Sequence, residues 1–94
     1  PVVRTHPATG RKSLFVSPGF TTGFVGMPPE ESGPILASLF RHLARPEFIY
    51  RHRWRASDLV IWDNSCTLHL AVSDYALSSP RRMHRVTVAG GVPR

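Results

Sequence analysis

Ninety-four residues with a formal net charge of +6 allow one small domain with a modest core, and leave no room for a multidomain assembly. No run of residues approaches the roughly 18 apolar positions of a membrane span, and the opening Pro-Val-Val-Arg lacks the charged-then-apolar order of a signal peptide. The single cysteine, Cys66, cannot form an internal disulfide, which fits a reducing cytoplasm as the expected location. In chain order, residues 1–12 read as an irregular lead-in with turns at Pro7 and Gly10. Leu14-Phe15-Val16 is a short strand signal ending at Pro18-Gly19. Met27-Pro28-Pro29 is a breaker, after which Ser32 is the expected N-cap and Pro34 falls in the first turn, where its missing N–H costs nothing. Ile35, Leu36, Leu39, Phe40 and Leu43 form one apolar helical stripe for core packing, and the helix should stop at Arg45 before Pro46.

Strands are expected at residues 48–55, 58–62, 66–72 and 81–88, with Ala56-Ser57 as a turn. Short strands at about ten-residue spacing with one helix outside suggest a mainly β sandwich or barrel. The absence of an initiator methionine suggests a start inside a longer polypeptide or at a processed end.

The basic excess raises nucleic acid as a partner. Arg51-His52-Arg53-Trp54-Arg55 could grip phosphate and stack a base. The same alternation describes a strand whose solvated face carries Arg51, Arg53 and Arg55, with His52 and Trp54 opposite. That second reading is preferred, and a nucleic-acid partner is not expected.

The last third carries the most chemistry. Trp62-Asp63-Asn64 is followed by His69, then by Arg81 twelve residues later and Arg85 sixteen later. If residues 81–89 alternate as a strand, Arg81, Met83 and Arg85 share a face and Arg82 points away. The two guanidinium groups then stand about 13 Å apart.

The set His6-Pro7, Thr9-Gly10-Arg11, Leu14-Phe15-Val16, Gly19-Phe20-Thr21-Thr22, Pro46-Glu47-Phe48, Ile61-Trp62-Asp63-Asn64 and Met83-His84-Arg85 resembles, in order and spacing, the C-terminal third of the taurine dioxygenase-like (TauD/TfdA) family. These are Fe(II)- and 2-oxoglutarate-dependent dioxygenases. The resemblance implies that residues 1–94 are the C-terminal portion of such a domain, the second half of a double-stranded β-helix, or jelly roll, with the first half absent.

It also implies roles. His69 would be an iron ligand, a neutral imidazole on a rigid strand suiting a facial two-histidine, one-carboxylate site. Arg81 would anchor the 5-carboxylate of 2-oxoglutarate through its planar fork; by spacing alone Arg82 competes. Arg85 would hold the anionic head of a small organic substrate (sulfonate, sulfate ester or carboxylate), with Phe20 lining the same pocket. His69 and Arg81 are expected to line one hollow, and O2 completes the reactants. The remaining histidines, His6, His42, His52 and His84, have no motif and read as structural or exposed.

The family's other two iron ligands come from a His-x-Asp or His-x-Glu pair further upstream. None of the five histidines has an acid two residues on, so the isolated chain is expected to be inactive. The rival expectation is a catalytically incomplete remnant that acts only in folding or oligomerisation, its open strand edges pairing with another copy or with the missing half.

Overall fold

The structure, a computed structural model, describes every residue except Leu77, Ser79 and Pro93. Its regular elements are β1 (Val3–Thr5), β2 (Lys12–Leu14), α1 (Pro29–Leu43) and a single 3-10 turn at Pro46–Phe48.

β1 lies in the stretch expected to be irregular. Its β-branched Val3 and Thr5 suit a pleated backbone, and it pairs antiparallel with β2 in the register Val3↔Leu14, Arg4↔Ser13, Thr5↔Lys12. The Phe15 N–H extends the ladder to the Val2 carbonyl at 2.7 Å. Between the strands, the His6 N–H donates to the Arg11 carbonyl and the Gly10 N–H to the His6 carbonyl. Gly10 has φ +70°, a left-handed conformation that glycine adopts without a Cβ penalty.

α1 begins earlier than expected. Pro28 is the cap residue, in an extended conformation, and Pro29 takes the first helical position, where a fixed φ is already helical. Glu30 and Glu31 follow at the positive end of the helix dipole, and Arg41 and His42 lie at the negative end. Ser32 is therefore not the N-cap. It sits inside the helix, almost fully buried, and its hydroxyl donates to the Pro28 carbonyl at 3.1 Å. Pro34 correspondingly falls in the second turn, where it removes the N–H that would reach the Glu30 carbonyl. The helix ends at Leu43. Ala44 closes it with an N–H to the Phe40 carbonyl, and Arg45 is extended, as a residue before proline prefers. The guanidinium of Arg45 pairs with the Glu47 carboxylate and lies over the Phe48 ring.

The core is small. Val16 and Leu36 are its buried apolar side chains, joined by Ser32 and Arg4. Of the expected apolar stripe, Leu36 is buried, Leu39, Phe40 and Leu43 are half-buried, and Ile35 faces solvent. Arg4 lies 5.3 Å from the Phe15 ring centroid, and its Nε has no hydrogen-bond partner among the described residues. The aromatic face provides part of the compensation a buried cation requires.

From Ile49 onward no described residue joins a strand, so the four strands expected at 48–55, 58–62, 66–72 and 81–88 are not formed. Phe48 belongs to the 3-10 turn instead. Alternation gives a segment two faces, but a strand also needs a neighbour to satisfy its N–H and C=O groups, and these residues provide none for one another. Leu59 is 85% exposed and Val86 91%. The radius of gyration is 16.2 Å, against about 12 Å for a compact domain of this length. One helix stands, as expected; among the described residues the β content is one two-stranded antiparallel sheet, which is not a jelly roll. No helix among the described residues is long and apolar enough to cross a membrane.

Candidate active-site segment

Two turns organise the second half of the chain. In the first, expected at Ala56-Ser57, the Asp58 N–H donates to the Arg55 carbonyl at 3.2 Å. The Asp58 carboxylate accepts from the Arg55 N–H at 2.9 Å and bonds His52 Nε2 at 3.0 Å. Trp54 stands edge-on to the His52 ring, with centroids 4.7 Å apart. Tyr50, Arg51, His52, Arg53, Arg55 and Asp58 line one open hollow of about 430 Å³. The arginines are thus not segregated from His52 on opposite faces, because no sheet forms to separate them.

The second turn follows Trp62. The Asp63 carboxylate accepts the Ser65 N–H at 2.7 Å. Its backbone carbonyl accepts the Cys66 and Thr67 N–H groups, and the Thr67 hydroxyl at 2.6 Å. Trp62 Nε1–H donates to Asn64 Oδ1 at 2.9 Å, which holds the indole so that its ring lies 4.8 Å from that of His69.

His6 reaches this turn from the β1–β2 loop. Its Nδ1 accepts the Ala8 and Thr9 N–H groups, each at 3.2 Å. The ring proton therefore belongs on Nε2, which meets Asp63 Oδ2 at 2.8 Å. Sequence reading missed this pair, since 57 residues separate its members and no local spacing signals it. The Asp63 carboxyl, although exposed, is lowered to about 2 by the hydrogen bond from His6, reinforced by those from Ser65.

Cys66 lies nearby, so that one ligand atom each from His6, Asp63 and Cys66 fall within 4.8 Å of one another. The imidazole argues against a metal there. A cation on Nε2 would move the proton to Nδ1, where two backbone donors already point. The cluster is a hydrogen-bonded clasp.

That clasp gives a pH dependence with a definite sign. A carboxyl whose folded pKa is depressed contributes stability that is present above its unfolded value, 3.8, and is lost as pH falls toward about 2. Asp63→Asn should therefore flatten the acid limb of the stability curve between about pH 4 and 2, measured by urea unfolding at each pH. An unchanged acid limb would show that the carboxylate is not held in this way.

Of the residues expected to act on ligands, His69 is exposed, touches Trp62, and has no hydrogen bond at either ring nitrogen from a described residue. Arg81 lies 5.4 Å from the Tyr75 ring centroid. Arg82 and Arg85 are exposed, and Phe20 is almost wholly so. No hydrogen bond or ion pair among the described residues joins His69 to Arg81 or Arg85. A second hollow, of about 380 Å³, is lined by Ala44, Pro46, Ile49 and Arg51. His69, Arg81, Arg85 and Phe20 line neither hollow.

In kind, the residues present fit a share of an iron site: the His69 nitrogens are open, and Arg81 and Arg85 carry no carboxylate partner among the described residues. His42 and His84 are equally free of hydrogen bonds there, and Arg45 alone of the arginines pairs with a carboxylate.

The model of the taurine catabolism dioxygenase TauD, TfdA family matches residues 1–87. The chain is 44% identical over 87 residues to the alpha-ketoglutarate-dependent 2,4-dichlorophenoxyacetate dioxygenase of Cupriavidus pinatubonensis, covering 93% of this chain and 30% of that protein. It is 43% identical over 93 residues to an alpha-ketoglutarate-dependent sulfate ester dioxygenase of Pseudomonas putida, covering 99% and 30%. With the (S)-phenoxypropionate/alpha-ketoglutarate-dioxygenase of Sphingobium herbicidovorans it shares 38% over 90 residues, covering 96% and 31%. The chain thus spans about 30% of the length of these relatives. No solved structure matches it. With most of its length matched by the family's model, the chain belongs to the TauD/TfdA family.

Proposed function

We propose that residues 1–94 are the C-terminal portion of an Fe(II)- and 2-oxoglutarate-dependent dioxygenase domain that hydroxylates a small anionic substrate. The observation that carries this reading is His69, an exposed imidazole set against Trp62 in a chain of this family. His69 would be one iron ligand, and Arg81 would pair with the 5-carboxylate of 2-oxoglutarate. Arg85 would take the substrate's anionic head, and Phe20 would close the pocket's apolar side. The relatives named above act on a sulfate ester, 2,4-dichlorophenoxyacetate or phenoxypropionate, all of which carry an anionic head, and sulfonates share that chemistry. Bound iron with 2-oxoglutarate would supply O2 activation, oxidising the keto acid to succinate and CO2 as the substrate is hydroxylated. The remaining ligands would come from a first half of the domain. Pairing with it would give the segments 48–55, 58–62, 66–72 and 81–88 the strand partners they lack here and complete a jelly roll, in a cytoplasmic enzyme.

The test is succinate formation from 2-oxoglutarate by the whole protein that carries residues 1–94, offered sulfate esters, sulfonates and aryloxyalkanoates in turn. Substrate-stimulated succinate is expected, and His69→Ala should reduce it at least about 100-fold by removing a ligand. Undiminished turnover in His69→Ala would overturn the ligand assignment.

The exposed Leu59, Ile61, Leu70, Val86 and Val88 favour a second reading, a catalytically incomplete remnant whose apolar surface serves folding or self-association. Concentration-dependent association with no iron or 2-oxoglutarate binding would select it.

A further inference from the structure

We propose that His6 is a positioning residue for the His69 imidazole, acting through Asp63 and the turn that carries Trp62. The inference rests on the reading of His69 as a metal ligand. It also adds a residue from the opposite end of the chain, one to which the sequence assigned no role in the site.

The connection can be followed atom by atom. Two backbone N–H groups of the β1–β2 loop fix the His6 tautomer, so the ring presents Nε2–H to Asp63. The other oxygen of the same carboxylate closes the turn on the Ser65 N–H, and the Asp63 carbonyl gathers the N–H groups of Cys66 and Thr67. A second tie runs from the Ser13 hydroxyl in β2 to the Ser65 carbonyl at 3.3 Å. The β1–β2 hairpin is thereby clamped to the turn by its loop, through His6, and by its second strand, through Ser13. Thr67, hydrogen-bonded twice to Asp63, lies two residues before His69, and the indole on the other side of the turn abuts the His69 ring. A ligand imidazole must be held in orientation as well as in place, and partners beyond the ligand itself do this in metal sites. Here the rigid element is the hairpin, and His6 is its point of attachment.

The test uses the whole protein that carries residues 1–94 and Co(II) as probe, read by dissociation constant and visible absorption band, with thermal midpoints measured in parallel. His6→Ala should weaken Co(II) binding about tenfold, the lower end for a supporting partner, and shift the band. His6→Gln, whose amide can still donate to Asp63, should recover most of the affinity. Should His6→Ala fail to fold, Asp63→Asn carries the same test, because it keeps an oxygen for the Ser65 N–H while turning an NH2 group toward His6. Unchanged Co(II) affinity and band in His6→Ala or Asp63→Asn, with or without a lower midpoint, would confine His6 to folding and overturn the proposal, while the reading of His69 stands if His69→Ala loses Co(II). Unchanged Co(II) binding in His69→Ala would instead bring down the ligand assignment, and the positioning role with it.

Discussion

In the whole protein that carries residues 1–94, Arg81→Ala should weaken 2-oxoglutarate binding by roughly 2–5 kcal/mol, about thirtyfold to several-thousandfold. The loss is that of truncating one partner of a buried charge pair, since a dicarboxylate held at one end by metal leaves its far carboxylate to be neutralised by protein. The Arg81 guanidinium is available for this. It lies over the Tyr75 ring, a contact that steadies its plane, and it forms no ion pair among the described residues. Arg81→Lys should recover only part of the affinity, because an ammonium cannot reproduce the two parallel bonds of the planar fork. Arg82→Ala is the control, since spacing alone would accept either arginine. Calorimetric titration of 2-oxoglutarate into the three variants decides the assignment. Full affinity in Arg81→Ala with loss in Arg82→Ala would transfer the role one residue along.

The sequence was legible where interactions are local. The apolar stripe of α1, its end before Pro46, the turn at Ala56-Ser57 and the family motifs around Trp62-Asp63-Asn64 all depend on neighbours within a few residues. The start of α1 was misjudged because a serine near a proline looks like a cap, whereas Pro28-Pro29 fixes the backbone earlier and turns the Ser32 hydroxyl inward. The β1 strand was missed because three residues are too few to show alternation. The His6–Asp63 clasp was invisible for the opposite reason, its partners lying at nearly opposite ends of the numbering. Beyond Ile49 the sequence alternates, but alternation becomes two faces only in a paired strand; pairing is a property of two segments, and one pattern cannot supply the other.

That distinction makes a paired measurement on the two leucines Leu36 and Leu59 informative. Leu36 is 4% exposed, packed in the small core with Val16 and Ser32, and Leu36→Ala should cost about 2–5 kcal/mol through lost transfer energy and the cavity left behind. Leu59 has the same side chain at the start of the expected 58–62 strand but lies open to water. If residues 58–88 face solvent in the whole protein, Leu59→Ala should change stability by no more than about 0.5 kcal/mol. If they form the inner strands of the proposed jelly roll, the same substitution in the full chain should approach the cost at Leu36, because burial against a facing sheet removes the same methyl groups from water. Urea unfolding of both variants, compared at constant slope, measures the difference directly. A small cost at Leu59 beside a large one at Leu36 would remove the structural basis for placing His69, Arg81 and Arg85 on a common sheet. Comparable costs would put those side chains on a buried β framework able to hold a metal and a keto acid in fixed relation.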